Sequence, residues 1–277
     1  MQQRRKILSI PGAAALGALL GPLLAAPARA APLAHSDIGI IMMHGKWGRP
    51  PGPLAGLLGR EDYQVVSPTM PWSGGRLYDT SYPAGLTELH AAVEKLRAAG
   101  ARLVVVGGES FGANGTLAYQ AQYGDADALI LLAPGHNPGG WYRSGLIKAE
   151  VDEARALRNA GRGGERFTFT DPNQDNNRKL SATVDHYLSF FNPLGLANMG
   201  VSARRIAAHG RAVPVLLVNS SNEARTQGRG FIWNELPAHP ASVYAELSAG
   251  HSEAAEAAAS LVRRFLETLA AGAGAAR

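Results

Sequence analysis

The sequence contains no cysteine. That excludes a disulfide framework and a lipid-modified N-terminal cysteine, so stability must come from an ordinary hydrophobic core. Metal-ligand spacing is missing as well: there is no His-x-x-x-His pair and no acidic triplet at ligand intervals. Neither a Gly-x-Gly-x-x-Gly fingerprint nor a Gly-Lys-Ser/Thr phosphate loop occurs. Nor is there an internal repeat, a long linker or a clustered basic stripe of the kind a nucleic-acid partner requires. These absences imply no metal and no cofactor, and they leave a small molecule as the expected partner. They do not specify an oligomeric state.

The formal charge is +5 and the pI about 9.6, but the excess is concentrated at one end. Arg4, Arg5, Lys6 and Arg29 lie within the first thirty residues, which hold no acidic side chain; the 23 Lys and Arg that remain nearly balance 22 Asp and Glu. Arg4-Arg5-Lys6, an Ala/Leu/Gly-rich stretch from Ile7 to Ala26, and Ala28-Arg29-Ala30 have the layout of a secretory signal cleaved after Ala30. The Arg4-Arg5 pair also resembles a twin-arginine signal. Pro11, Pro22 and Pro27 make this stretch a poor membrane span. The expected mature protein is therefore residues 31–277, periplasmic or secreted, without a membrane span.

Its patterning is that of one α/β domain. The continuous apolar run Ile38–Met43 reads as a strand covered on both faces, and Tyr63–Ser67, Arg102–Gly107, Ala128–Ala133, Pro214–Asn219 and Ser242–Leu247 read as further strands. Helical patterns separate them, clearest at Ala84–Ala99, where Leu86, Leu89, Val93 and Leu96 share a face. Alternating strands and helices predict a doubly wound, mostly parallel sheet, in which ligands bind beyond the carboxyl ends of the strands. Residues 134–212 break the pattern and contain a cap-like insertion: a helix at Ile147–Ala160, a short strand at Arg166–Thr170, a polar loop at Asp171–Lys179 and an aromatic stretch at Tyr187–Phe191. The Ala/Gly-rich tail from Ala270 is expected to fray.

The chain is organised around Gly108-Glu109-Ser110-Phe111-Gly112. An apolar strand precedes it and a helix-compatible stretch follows, which is the strand–serine–helix signature of a nucleophile elbow. A serine on so tight a turn has strained backbone angles, and small neighbours let the turn close. The helix that follows presents unpaired N–H groups where negative charge develops.

With this motif in place, the chain resembles the α/β-hydrolase superfamily over nearly its whole mature length. The resemblance implies the order nucleophile, acid, histidine. Ser110 follows the third strand, Glu223 lies past the fifth, and His251 lies past the sixth, just before the last helix. In such a triad a neutral imidazole takes the serine proton and a carboxylate steadies the imidazolium. Asp171 is the alternative acid and Asp185 a third candidate. The resemblance also implies an oxyanion hole made by the amide of Phe111 and one from His44-Gly45-Lys46-Trp47-Gly48, either Lys46 or Trp47. Trp47, Trp72 and Tyr78, with Tyr82, come from loops at the same edge and are expected to wall the substrate pocket. His136 and His186 are further candidates to line it. The function implied is an exported serine hydrolase acting on an ester or related acyl bond. An amidase or peptidase, a thioesterase, a cofactor-free perhydrolase and a non-catalytic binding protein of the same fold stay open.

Overall fold

Six parallel strands form one sheet with the order β2-β1-β3-β4-β7-β8. They are β1 (Ile38–Met43), β2 (Gln64–Val66), β3 (Leu103–Glu109), β4 (Ala128–Leu132), β7 (Val215–Ser220) and β8 (Val243–Leu247). The computed structural model describes residues 31–174, 176–220, 229–230 and 232–275. Every strand pair in this sheet is parallel, as the alternating pattern predicts.

Side-chain alternation along the strands divides the core in two. Ile41, Val104, Val106, Leu129, Leu131 and Leu217 face a layer holding Leu86, Leu89 and Val93 of α2 (Tyr82–Ala98), Leu117 and Ala118 of α3 (Phe111–Tyr123), and Ala203 and Ile206 of α7 (Met199–His209). Ile38, Ile40, Met42, Val105, Ile130 and Leu216 face the other way, onto Leu54 and Leu58 of α1 (Pro53–Gly59) and onto Val262, Phe265 and Leu266. These last three belong to the closing helix, Ala259–Ala275, which continues past Ala270 instead of fraying there. Ala270 is itself buried, and its carbonyl accepts the Leu33 N–H at 3.1 Å. Burial holds the tail in a helix despite its glycines.

The topology places the site. From β1 the chain moves outward to β2, then returns to the opposite side of β1 to form β3. Connections leaving β1 and β3 diverge to opposite sides, and the crevice between their carboxyl ends is where such sheets bind ligands.

Between β4 and β7 lie α4 (Pro138–Arg143), α5 (Lys148–Asn159), a hairpin of β5 (Arg166–Asn173) and β6 (Asn176–Thr183), then α6 (Val184–Phe191) and α7. The hairpin corrects the expected polar loop at Asp171–Lys179. Asp171 pairs with Arg178 and Phe169 with Leu180 in an antiparallel register. Phe167, Phe169 and Asp171 alternate along β5, with Phe169 and Asp171 both buried. A carboxylate standing where a hydrophobe is expected hides the period-two pattern.

Candidate active site

Ser110 sits between β3 and α3 with φ 51° and ψ −115°. This left-handed φ is strained for a residue with a side chain, and two glycines make it feasible. A Cβ on Gly108 would lie 2.6 Å from the Gly112 carbonyl oxygen, and one on Gly112 would lie 2.5 Å from the Met43 carbonyl oxygen. The turn is pinned by its own backbone: Ser110 N–H donates to the Leu132 carbonyl at 2.9 Å, and Gly135 N–H donates to the Ser110 carbonyl at 3.0 Å. His251 opens a short 3₁₀ turn, His251–Glu253, after β8. Its Nε2 lies 2.8 Å from Ser110 Oγ. Two residues 141 positions apart thus meet in hydrogen-bond range at the carboxyl edge of the sheet.

The loop after β1 reaches the same point. A Cβ on Gly45 would stand 3.2 Å from that of Ser110. His44 is buried and shapes this loop. Its Nε2 accepts the Met70 N–H at 3.1 Å, so Nδ1 carries the proton and donates to the Gly45 carbonyl at 2.7 Å. The Gly48 N–H donates to the same carbonyl at 3.1 Å. With the carbonyl so engaged, the Lys46 N–H, on the other side of that trans peptide, points in the opposite direction. Among the described residues no acceptor takes the Lys46 N–H or the Phe111 N–H at the first position of α3. The Trp47 N–H is committed to the Trp72 carbonyl at 2.8 Å. Of the two expected loop donors, Lys46 therefore has the available amide and Trp47 does not.

Residues 40–270 match the sequence profile of the alpha/beta hydrolase family. The chain belongs to that family. A comparison with curated protein sequences finds no match. Among solved structures, the monoacylglycerol lipase of Paleococcus ferrophilus is 17% identical with a TM-score of 0.59, covering 83% of this chain and 94% of that one. A chain reported with LipS and LipT, two metagenome-derived lipolytic enzymes, is 16% identical with a TM-score of 0.56, covering 87% and 98%. Est1E from Butyrivibrio proteoclasticus, with ferulic acid bound, is 16% identical with a TM-score of 0.51, covering 82% and 87%. At these identities the likeness is one of fold.

In this α/β hydrolase a cavity of about 170 Å³ lies beside Ser110 and His251, lined by Lys46, Phe111, Gly135, His136, Asn137, Trp141, Asn173 and Gln174. A neighbouring cleft of about 190 Å³ shares Lys46, Ser110, Asn173, Gln174 and His251 and adds Gly45, Gly48 and Glu109. A larger cavity, about 280 Å³, is lined by Val215, Trp233 and Ser242 at the amino ends of β7 and β8, the far end of the sheet from Ser110.

The expected aromatic wall needs correction. Trp72 and Tyr78 line neither cleft at Ser110; both are core residues. The Trp72 ring stacks on Phe111 at 4.6 Å, and its Nε1 donates to the His44 carbonyl at 3.0 Å. Tyr78 packs edge-on against Phe190 and donates its hydroxyl to Asp171 Oδ2 at 2.8 Å. Trp47 also turns away from the cavity and donates Nε1 to Asp171 at 2.6 Å. Trp141, which no motif flags, lines the cavity together with Phe111. His136 lines it too. It stacks on Phe111 at 3.8 Å and donates Nε2–H to the Phe190 carbonyl at 2.8 Å.

Asp171, the alternative acid, is committed elsewhere. Lys46 Nζ, Trp47 Nε1 and the Tyr78 hydroxyl all donate to it. Asp185 lies in the first turn of α6, where the Gly163 carbonyl accepts its N–H at 3.0 Å, and its carboxylate stands against Gly163. Glu223 lies outside the described residues. Asn114, inside α3, bridges the site to its surroundings by donating to the His136 and Ala197 carbonyls at 3.1 and 2.6 Å.

Burial sets the charge states nearby. It pushes His136 well below the usual histidine range, and the neighbouring Lys46 cation adds to that shift. His44 is lowered by burial, opposed by its bond to the Gly45 carbonyl. Both rings are held neutral. Burial raises the carboxyl of Glu109, against the pull of the Gly45 N–H and of His251.

Proposed function

We propose that this α/β hydrolase is a serine esterase acting on short-chain acyl substrates through an acyl-enzyme intermediate. The observation that carries the reading is the 2.8 Å approach of His251 Nε2 to Ser110 Oγ, at a strained turn flanked by two open amides. Ser110 Oγ attacks the acyl carbonyl while His251 Nε2 takes its proton and then delivers it to the departing alkoxide. The carbonyl oxygen, now negative, is held by the Phe111 and Lys46 amides. Water repeats the sequence against the acyl-enzyme, with His251 again as base. Glu223 is the proposed orienter of the imidazole, since the Asp171 carboxylate is taken by Lys46, Trp47 and Tyr78 and that of Asp185 lies against Gly163.

The short-chain assignment follows from volume. With the acyl group assigned to the cavity of about 170 Å³ beside Trp141 and the alcohol to the adjoining cleft of about 190 Å³, the acyl side lies below the ~300–1,000 Å³ of pockets that take drug-sized ligands. A panel of p-nitrophenyl esters tests both parts. Acetate and butyrate esters should be cleaved with higher kcat/KM than octanoate or longer ones. Ser110→Ala should lose turnover by about 10³-fold or more, and Glu223→Ala by orders of magnitude. Undiminished activity in Ser110→Ala would remove the serine mechanism.

We further propose that residues 1–30 direct export. A periplasmic or secreted product whose intact mass begins at Ala31 is the expected result, and a cytoplasmic full-length chain is the contrary one.

A further inference from the structure

The hairpin grips the loop after β1 through one buried carboxylate. Asp171 is 2% exposed. Its Oδ1 accepts from Lys46 Nζ at 2.5 Å; its Oδ2 accepts from Trp47 Nε1 at 2.6 Å and from the Tyr78 hydroxyl at 2.8 Å. Lys46 Nζ also donates to the carbonyl of Pro172, the next residue of β5, at 2.6 Å. From β6, paired opposite Asp171, the Arg178 guanidinium lies 3.8 Å from the centre of the Trp47 ring. Two consecutive side chains of the loop are thus tied to one two-stranded ribbon.

The grip falls at a strained point of the backbone. Trp47 has φ 60°, a left-handed value that a bulky residue adopts only when its surroundings over-determine it. Its N–H is held by the Trp72 carbonyl and its indole by Asp171. The residue before it, Lys46, carries the open amide.

Stability alone is a poor reason for such a pair. The Lys46 ammonium is enclosed by the rings of Phe111, Trp141 and Phe191, whose centres lie 5.5, 4.9 and 5.3 Å away. Burying two charges in that setting costs about as much as their attraction returns, and apolar residues of similar size stabilise such positions as well or better. What the ion pair supplies that apolar residues do not is direction.

We propose that Asp171 is a positioning residue: from the hairpin it fixes the Lys46–Trp47 segment so that the Lys46 amide faces the oxygen that becomes negative when Ser110 attacks. The inference rests on the serine-esterase reading above. It assigns the hairpin a share in transition-state stabilisation as well as a place in the cavity wall.

The test compares Asp171→Asn and the double variant Lys46→Met/Asp171→Leu with the parent enzyme. Asp171→Asn keeps the shape but loses the partner of the Lys46 charge. The double variant removes both charges, so it leaves no buried cation unpaired as the single change does. On p-nitrophenyl acetate, kcat should fall about 10²-fold in both while KM stays within about twofold, because the amide acts on the transition state and not on bound ester. Affinity for a trifluoromethyl ketone, which forms the tetrahedral adduct, should fall by the same factor as kcat/KM. The double variant should keep a cooperative thermal transition, with Tm lowered because Trp47 Nε1 and the Tyr78 hydroxyl lose their acceptor, and should remain slow.

A double variant with parental kcat would overturn the proposal, as would a change confined to KM. In either case a parent that is labelled by a fluorophosphonate leaves the esterase reading standing. A parent that takes no label, and loses no activity in Ser110→Ala, would defeat that reading and this inference together.

Discussion

Single atoms decide whether the turn at Ser110 closes. Gly112 lies against the backbone of β1, and an added methyl would meet the Met43 carbonyl oxygen at 2.5 Å and its carbon at 2.9 Å. Backbone cannot rotate out of the way as a flexible side chain can, so Gly112→Ala should cost at least the ~1–3 kcal/mol typical of overpacking. For a domain of this size that lowers Tm by about 2–4 °C per kcal/mol. Gly52 is the matched control: its φ is −73° and no atom lies within 4 Å of an added Cβ. Gly52→Ala should stay within about 0.5 kcal/mol of the parent in urea denaturation. Equal costs at the two positions would show that the close approach is not what demands glycine. This part of the site was legible in the sequence, because a Gly-x-Ser-x-Gly motif after an apolar strand encodes a local constraint. Asp171 was not legible as an anchor. Its partners lie 93 to 125 residues away, and no local pattern marks a carboxylate that a tertiary contact will bury.

At the scale of elements, the six strands of the main sheet, α1 and α2 follow from apolar patterning within about two residues. By contrast, α3 starts five residues before its helix-compatible stretch, the closing helix runs on to Ala275 and α7 has no clear signal in the sequence. The segment between β4 and β7 is less regular in sequence because its packing is less regular: a polar ribbon, short helices and an aromatic cluster share one small interface. There α4 contributes Trp141, the ring that lines the cavity beside Ser110. It is held edge-on by His136 at 5.0 Å and has the Lys46 ammonium 4.9 Å from its centre. Truncating it should open room for acyl carbons. Each extra methylene in an apolar pocket is worth ~1–3 kcal/mol in discrimination, so Trp141→Ala should shift the preferred p-nitrophenyl ester toward longer chains, with octanoate gaining about tenfold or more against acetate. An unchanged chain-length profile would mean that the acyl group lies in the neighbouring cleft instead. The expected wall of Trp47, Trp72 and Tyr78 misassigned these rings for a related reason. Large aromatics near a sheet edge serve packing as readily as binding, and only the fold separates the two.

For the whole molecule, two buried imidazoles set a limit on the acid side. His44 and His136 are both held below the free value of 6.5, so the unfolded chain binds protons there that the folded chain refuses. Stability from these groups is fully present above about pH 6.5 and is lost as pH falls beneath it, by up to about 1.4 kcal/mol per pH unit for each ring. Thermal unfolding between pH 7.5 and 4.5 should show a plateau and then a decline. His136→Phe keeps the stack on Phe111 but leaves the Phe190 carbonyl without its donor; it should have a lower Tm at pH 7.5 and a shallower decline below 6.5. A parental slope in that variant would assign the acid loss to other groups.

The six-stranded parallel sheet brings the loop after β1, the turn after β3 and the turn after β8 to one edge, and all of the chemistry proposed depends on that convergence. Mapping the site of covalent capture tests it most directly. After treatment with a fluorophosphonate, peptide mass spectrometry should find one adduct per chain, on Ser110. The adduct should be absent from Ser110→Ala and should form orders of magnitude more slowly in His251→Ala. An adduct on another residue, or labelling of Ser110 that proceeds at the parental rate without His251, would contradict the account.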